Sequence, residues 1–198
     1  MRVVAGRHRG RHIEAPEGLT VRPTADRTRE AMFNILERGK LPWPAEHSES
    51  GNPLVANPLI GAWVLDAFAG TGALGLEAVS RGAAHVTFME NQAAAAAACR
   101  DNIETLGEQT RCEIVRYDVL HPPRAPRPCD LVLMDPPYGQ GLATPAIEAL
   151  RAAGWIAPGT LVIVELMAKE EFPVPNGFAT VDTRKYGKAR LEFLRAED

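Results

Sequence analysis

The chain has 198 residues, 45% apolar and 24% charged, enough for one self-supporting core and unlike a disordered or fibrous protein. No apolar run reaches the roughly 18 residues of a membrane span, and the start lacks a secretory leader pattern. The net charge of −3 conceals a split: residues 1–40 hold nine Lys/Arg against five Asp/Glu, and the remainder thirteen against twenty. A basic end on an acidic body points to one end meeting a polyanion. The three cysteines, Cys99, Cys112 and Cys129, form no C-x-x-C pair, so a reducing cytoplasm is the expected compartment.

In chain order, residues 2–5 and 11–14 flank Gly6 and Gly10 and predict a strand pair with a short loop. A helix then starts with Thr24 as its N-cap, carries Ala25, Met32, Ile35 and Leu36 on one face, and stops near Gly39. Residues 39–61 contain four of the sixteen prolines and a polar stretch, a loop longer than most connections inside a domain. The expected division is an N-terminal hairpin-and-helix appendage over 1–39, a hinge loop over 40–60, and a main body over 61–198. In the body, strands at 62–68, 85–89, 112–116, 130–134 and 160–166 alternate with helices at 73–81, 92–105 and 144–153. A proline-rich connection, 121–128, separates the third and fourth strands. Such alternation predicts an α/β fold, a mostly parallel, doubly wound sheet covered on both faces. Segments 178–185 and 189–194 around Gly187 predict an antiparallel hairpin on the sheet edge.

Chemistry gathers at the ends of the predicted strands. Asp66-Ala67-Phe68-Ala69-Gly70-Thr71-Gly72-Ala73-Leu74-Gly75 sits where the first body strand turns into its helix. Small residues there let a ligand approach the backbone, and the helix N-terminus offers unpaired N–H groups. Gly70, Gly72 and Gly75 fit G-x-G-x-x-G, which by itself leaves a nicotinamide enzyme open. Glu90 follows Gly70 by 20 residues, the distance at which a carboxylate takes the hydroxyls of a bound ribose. Asp118, just past the third strand, is placed to reach an adenine amino group. His8 and His12 lie four apart in a strand-like segment and make no metal pair, so no metal is expected.

Asp135-Pro136-Pro137-Tyr138 follows the fourth strand. An exocyclic amine on a base is a poor nucleophile because its lone pair is delocalised into the ring. The Asp135 carboxylate and the Pro136 carbonyl can each accept one N–H of that amine and turn its lone pair toward an electrophile. The two prolines stiffen the turn, and Tyr138 offers a flat face to a flipped-out base.

Together, the glycine-rich Asp-x-Phe-x-Gly-x-Gly loop and Asp-Pro-Pro-Tyr resemble the S-adenosylmethionine-dependent amino-methyltransferases of the Rossmann-like class I fold. Three further stretches narrow the resemblance: Gly6-Arg7-His8-Arg9-Gly10-Arg11, the arginine-rich segment from Leu19 to Leu36, and Lys185-Tyr186-Gly187. They are similar to the RsmD family, which methylates the 2-amino group of a guanine in small-subunit (16S) ribosomal RNA. The resemblance covers nearly the whole chain except residues 40–60.

It implies S-adenosylmethionine as cofactor. Phe68, Ala69, Gly70, Thr71 and Gly72 would face its methionine part, Glu90 its ribose and Asp118 its adenine, with Asp66, Asn91 and Val119 beside them. Asp135, Pro136, Pro137 and Tyr138 would hold the base. The expected RNA contacts are Arg7, Arg9 and Arg11, alternating on one strand face; Arg22, Thr24 and Arg27 near the covering helix, where Arg22, Arg27 and Arg29 are expected to line the pocket mouth; and Lys185, Tyr186 and Lys188. The last three belong to a cluster with Arg184 and Arg190 that reads as free of acids. The implied setting is cytoplasmic, a monomer acting on an assembling 30S particle. Other readings stay open on sequence alone: a DNA adenine methyltransferase, a protein-glutamine methyltransferase, or a non-catalytic RNA-binding assembly factor. Against the glutamine enzymes, the chain carries Asp135 where they typically carry Asn. Some relatives have Phe in place of Tyr138, which points to stacking rather than the hydroxyl as its role.

Overall fold

Short runs of apolar residues bounded by turns build the centre of the molecule. In the computed structural model, residues 1–15, 23–37, 41 and 57–198 are described, with 23–26 by their backbone alone. The elements are α1 (Pro23–Glu37), β1 (Trp63–Ala67), α2 (Ala73–Ser80), β2 (His85–Met89), α3 (Ala93–Leu106), β3 (Cys112–Val115), β4 (Leu131–Met134), α4 (Ala143–Ala152), β5 (Leu161–Met167), β6 (Phe178–Tyr186) and β7 (Ala189–Ala196). The strands form one sheet in the order β3-β2-β1-β4-β5-β7-β6. β1 to β5 pair in parallel, and β7 runs antiparallel to both β5 and β6. The chain order reverses between β1 and β4, and ligands bind outside the carboxyl ends of strands at such a switch point.

Both faces of the central strands are covered. In β4, Leu131 and Leu133 enter a cluster with Leu76 and Val79 of α2, Cys99 and Ile103 of α3, and Met32, Phe33 and Leu36 of α1. Val132 and Met134 face the other way, toward Ala146, Ile147 and Leu150 of α4 and toward Trp155 and Cys129. The link from β3 to β4 contains no helix. Its own Val119 and Leu120 pack on that second face instead, and the Trp155 indole N–H donates to the Pro123 carbonyl at 2.8 Å. Among the described residues, no helix is long and apolar enough to cross a membrane.

The N-terminal residues depart from the expected strand pair. Pairing is limited to one antiparallel bridge, Arg2 with His12, flanked by Val3 N–H to the Arg11 carbonyl at 3.0 Å and Ile13 N–H to the Met1 carbonyl at 2.9 Å. Residues 7–10 form a turn, so Arg7, Arg9 and Arg11 do not line one face of a strand. The backbone of this stretch is drawn onto α2. Glu77 accepts from the N–H groups of Val4 (2.8 Å) and Ala5 (3.0 Å), and Ser80 Oγ accepts from His8 N–H and donates to the Ala5 carbonyl. Val3 and Ile13 are buried in the same cluster as α2 and β1. Arg22 and most of the 40–60 loop lie outside the described residues, as does the Thr24 side chain.

Candidate active site

At the carboxyl ends of β1, β2, β4 and β5 lies a cavity of about 960 Å³, at the upper end of what small-ligand sites offer. The β1–α2 turn forms its floor. Phe68 holds φ at +65°, the one positive φ outside glycine among the described residues, and such backbone strain concentrates where a loop must meet a ligand. Asp66 is buried, and its Oδ2 accepts the Gly75 N–H at 2.7 Å. It thus caps the first turn of α2 from the preceding strand. Burial holds the Asp66 carboxyl well above its usual range, against the Gly75 N–H, and nearby Asp135 and Glu90 push it the same way.

The glycines of the loop do different work. Gly70 lines the cavity, and a Cβ there would meet open space. At Gly75 a Cβ would fall 2.3 Å from Phe88 Cε1, so that glycine serves close packing of helix on sheet. Gly72 behaves likewise: a Cβ there would fall 2.7 Å from Cys99 Sγ, which keeps it in the packing and off the cavity wall. The Val119 side chain is buried in the apolar cluster of the second face, and the neighbouring Leu120 lines the cavity.

Glu90 is buried at the end of β2, with Oε2 accepting Gly70 N–H at 2.9 Å and Oε1 accepting Gln92 N–H at 2.7 Å. Each carboxylate oxygen keeps a second lone pair, so the group can still accept two hydroxyls. Asp118 Oδ1 accepts the Leu120 N–H at 3.0 Å, and Oδ2 lies 3.6 Å from His121 Nδ1. Phe68, Ala69, Gly70, Thr71, Asn91 and Asp118 share the cavity wall with Asp135, Pro136, Pro137 and Tyr138. Asp135 is exposed toward it, while Pro136 is buried. Tyr138 Oη donates to Glu165 Oε1 at 2.6 Å. The thiols take no part: burial pushes Cys112 and Cys129 up to about 12 and raises Cys99 as well.

These groups suit an adenosine-bearing cation. A strained turn with one open glycine offers backbone to a close-lying chain. Two carboxylates at successive strand ends offer acceptors for hydroxyls and an amine, and acids around the floor favour positive charge.

The expected cationic surface is thinned by partners. Arg7 lies 2.7 Å from Glu108, which also takes His8, and Arg11 donates to the Thr105 carbonyl at 2.9 Å. The cluster at the hairpin is not free of acids: Arg184 pairs with Asp182 at 2.8 Å and Arg190 with Glu192 at 2.7 Å. Both acids stand two residues away on the same strand face, where the charge balances itself. Lys185 and Lys188 are exposed and make no ion pair among the described residues, and Lys188 reaches the cavity rim. Tyr186 packs half-buried against the core. Arg9 and Arg27 are exposed.

Arg29, expected at the pocket mouth, is buried on α1, lines the cavity and donates to the Arg2 carbonyl at 2.8 Å. Two positioning groups, Asn102 and Glu165, escape a reading of the sequence. Asn102, buried on α3, donates to the carbonyls of Thr71 and Glu14 and accepts the Glu14 N–H. Glu165 is the carboxylate of β5. Only Glu165 carries a signal, as the lone charge in the run Leu-Val-Ile-Val-Glu-Leu-Met.

Comparison with known proteins agrees with this arrangement. A family model described as "Conserved hypothetical protein 95" matches residues 1–195. Ribosomal RNA small subunit methyltransferase D of Escherichia coli (strain K12) is 33% identical over 181 residues, covering 91% of this chain and 79% of that protein. A solved structure described as a putative methyltransferase, yhhF, from Escherichia coli superposes with a TM-score of 0.79 at 30% identity, covering 100% of this chain and 98% of that one. Magnesium protoporphyrin IX methyltransferase from Synechocystis, solved with bound SAM, shares the fold at a TM-score of 0.60 and 17% identity, over 88% of this chain and 80% of that one. With both ends of the molecule, the glycine-rich loop and the Asp-Pro-Pro-Tyr turn inside the matched span, the chain belongs to the ribosomal RNA small subunit methyltransferase D family.

Proposed function

We propose that this protein transfers a methyl group from S-adenosylmethionine to the exocyclic 2-amino group of a guanine in small-subunit ribosomal RNA, acting as a monomer on an assembling 30S particle. One observation carries the reading: Asp135, Pro136, Pro137 and Tyr138 share a cavity with the β1–α2 turn, Glu90 and Asp118. Bound there, the cofactor supplies a methyl carbon made electrophilic by its sulfonium. The chain does the rest by orientation. The Asp135 carboxylate and the Pro136 carbonyl accept the two amine hydrogens, so the nitrogen lone pair leaves the plane of the ring and points along the line of attack. Asp135 acts as an orienting acceptor, because the neutral amine is hardly acidic; the proton leaves during or after transfer. Tyr138 stacks the flipped base. Glu90 and Asp118 hold ribose and adenine, and Arg9, Arg27, Lys185 and Lys188 meet phosphates.

The decisive experiment pairs Asp135→Ala with tritium incorporation into ribosomal RNA, duplex DNA and peptide. The expected result is incorporation into ribosomal RNA by the native protein, at least about 100-fold lower for Asp135→Ala, with cofactor binding by calorimetry unchanged. Normal turnover by the variant, or preferential labelling of DNA or peptide, overturns the proposal. Mass-spectrometric mapping of the labelled RNA locates the base and tests the 2-amino group as acceptor.

A further inference from the structure

Tyr138 opens a turn after β4 and is half-buried, so backbone alone does not fix the plane of its ring. Its Oη is tied instead to Glu165 Oε1 at 2.6 Å, within the range of charge-assisted O–H···O bonds. Glu165 sits on β5 and is 5% exposed. β5 pairs with β4 on one side and with β7 on the other, where Glu165 faces Leu191. A carboxylate in a buried strand is costly unless it is hydrogen-bonded, and both residues line the cavity.

We propose that Glu165 is a positioning residue for methyl transfer, anchoring the Tyr138 hydroxyl to the sheet so that the ring is held in its stacking plane before the base arrives. The inference rests on the base-stacking reading above and gives the hydroxyl a task that stacking alone does not. A ring fixed in advance loses no freedom on binding, and small errors of placement at a reacting centre are costly in rate.

The test compares Tyr138→Phe, Glu165→Leu, Glu165→Gln and the double variant Tyr138→Phe/Glu165→Leu. It measures kcat and KM on 30S particles lacking the modification, with cofactor affinity measured by calorimetry. Tyr138→Phe and Glu165→Leu should each lower kcat by about tenfold, the lower end of what a hydrogen bond to a charged group is worth. The double variant should be no more than about twofold worse than either single one, as expected when both remove one interaction. Glu165→Gln, which retains an acceptor, should stay within about threefold of native, and cofactor affinity should not move. Multiplied losses in the double variant, near 100-fold, overturn the proposal, because Glu165 then acts independently of the hydroxyl. If Glu165→Leu fails to fold, Tyr138→Phe decides alone, and native kcat in that variant overturns the anchor. Tyr138→Ala separates the two levels. If it is nearly inactive while Tyr138→Phe is native, stacking stands and the anchor falls; if Tyr138→Ala is fully active, the stacking reading itself fails.

Discussion

Replacing Asn102 with alanine removes three hydrogen bonds at once: from Glu14 N–H at 2.9 Å, and to the Glu14 and Thr71 carbonyls at 3.0 Å each. At a net worth of about 1 kcal/mol apiece, the loss is about 3 kcal/mol, a large share of the roughly 5–15 kcal/mol that holds a domain together. One of the stranded groups, the Thr71 carbonyl, belongs to the turn that floors the cavity. The variant should therefore also bind S-adenosylmethionine about tenfold more weakly, equivalent to about 1.4 kcal/mol of loop ordering returned to the binding step. Urea unfolding with an unchanged slope reads the first effect, and calorimetric titration reads the second. Asn102→Asp sharpens the comparison, since it keeps the acceptor for Glu14 but replaces the nitrogen that makes both donations with one oxygen facing two carbonyls. It should be at least as destabilised as Asn102→Ala at pH 7. A loss below about 0.5 kcal/mol in Asn102→Ala, with native cofactor affinity, would refute the claim that this amide holds the turn.

Gly75→Ala should cost about 2 kcal/mol of stability through collision with Phe88, whereas Gly70→Ala should cost about 1 kcal/mol for its left-handed backbone. Cofactor titration should reverse the ranking, with Gly70→Ala the weaker binder, and equal effects in both assays would contradict the split. Burial holds the Asp66 carboxyl above its usual range, so above about pH 3.9, where the unfolded chain ionises, the native state binds more protons than the unfolded one. Native stability contributed by this group is full below that pH and is lost as pH rises through the folded value. The stability of the native protein minus that of Asp66→Asn should accordingly fall with rising pH over this window and then level off; denaturant titrations showing a constant or rising difference would refute the assignment.

Elements defined by local periodicity were legible before the structure. The segment 85–89 is β2 as read, and the hairpin about Gly187 lies where its turn residue places it. The strand-end acids and Asp-Pro-Pro-Tyr were legible too, because a parallel sheet brings successive strand ends to one rim. What escaped depends on residues far apart in sequence. Arg7 meets Glu108 and Asn102 meets Glu14 and Thr71 through tertiary packing that no periodicity encodes. The strand pair expected at 2–5 and 11–14 shrinks to one bridge, because side chains of α2 take the N–H groups of Val4, Ala5 and His8. The ion pairs of Arg184 and Arg190 were within reach, since their acids lie at the strand period of two.

Glu77 has consequences for how the molecule can be taken apart. It is fully buried, holds the backbone of Val4 and Ala5, and pairs with Arg81 at 2.6 Å. Excising the first residues would leave that charge short of two donors and uncover the apolar flank of α2. The segment that faces the nucleic acid in the proposed reading and the sheet beneath it thus share a single wall, and a fragment starting after the long loop would be a damaged whole, not a freestanding catalyst.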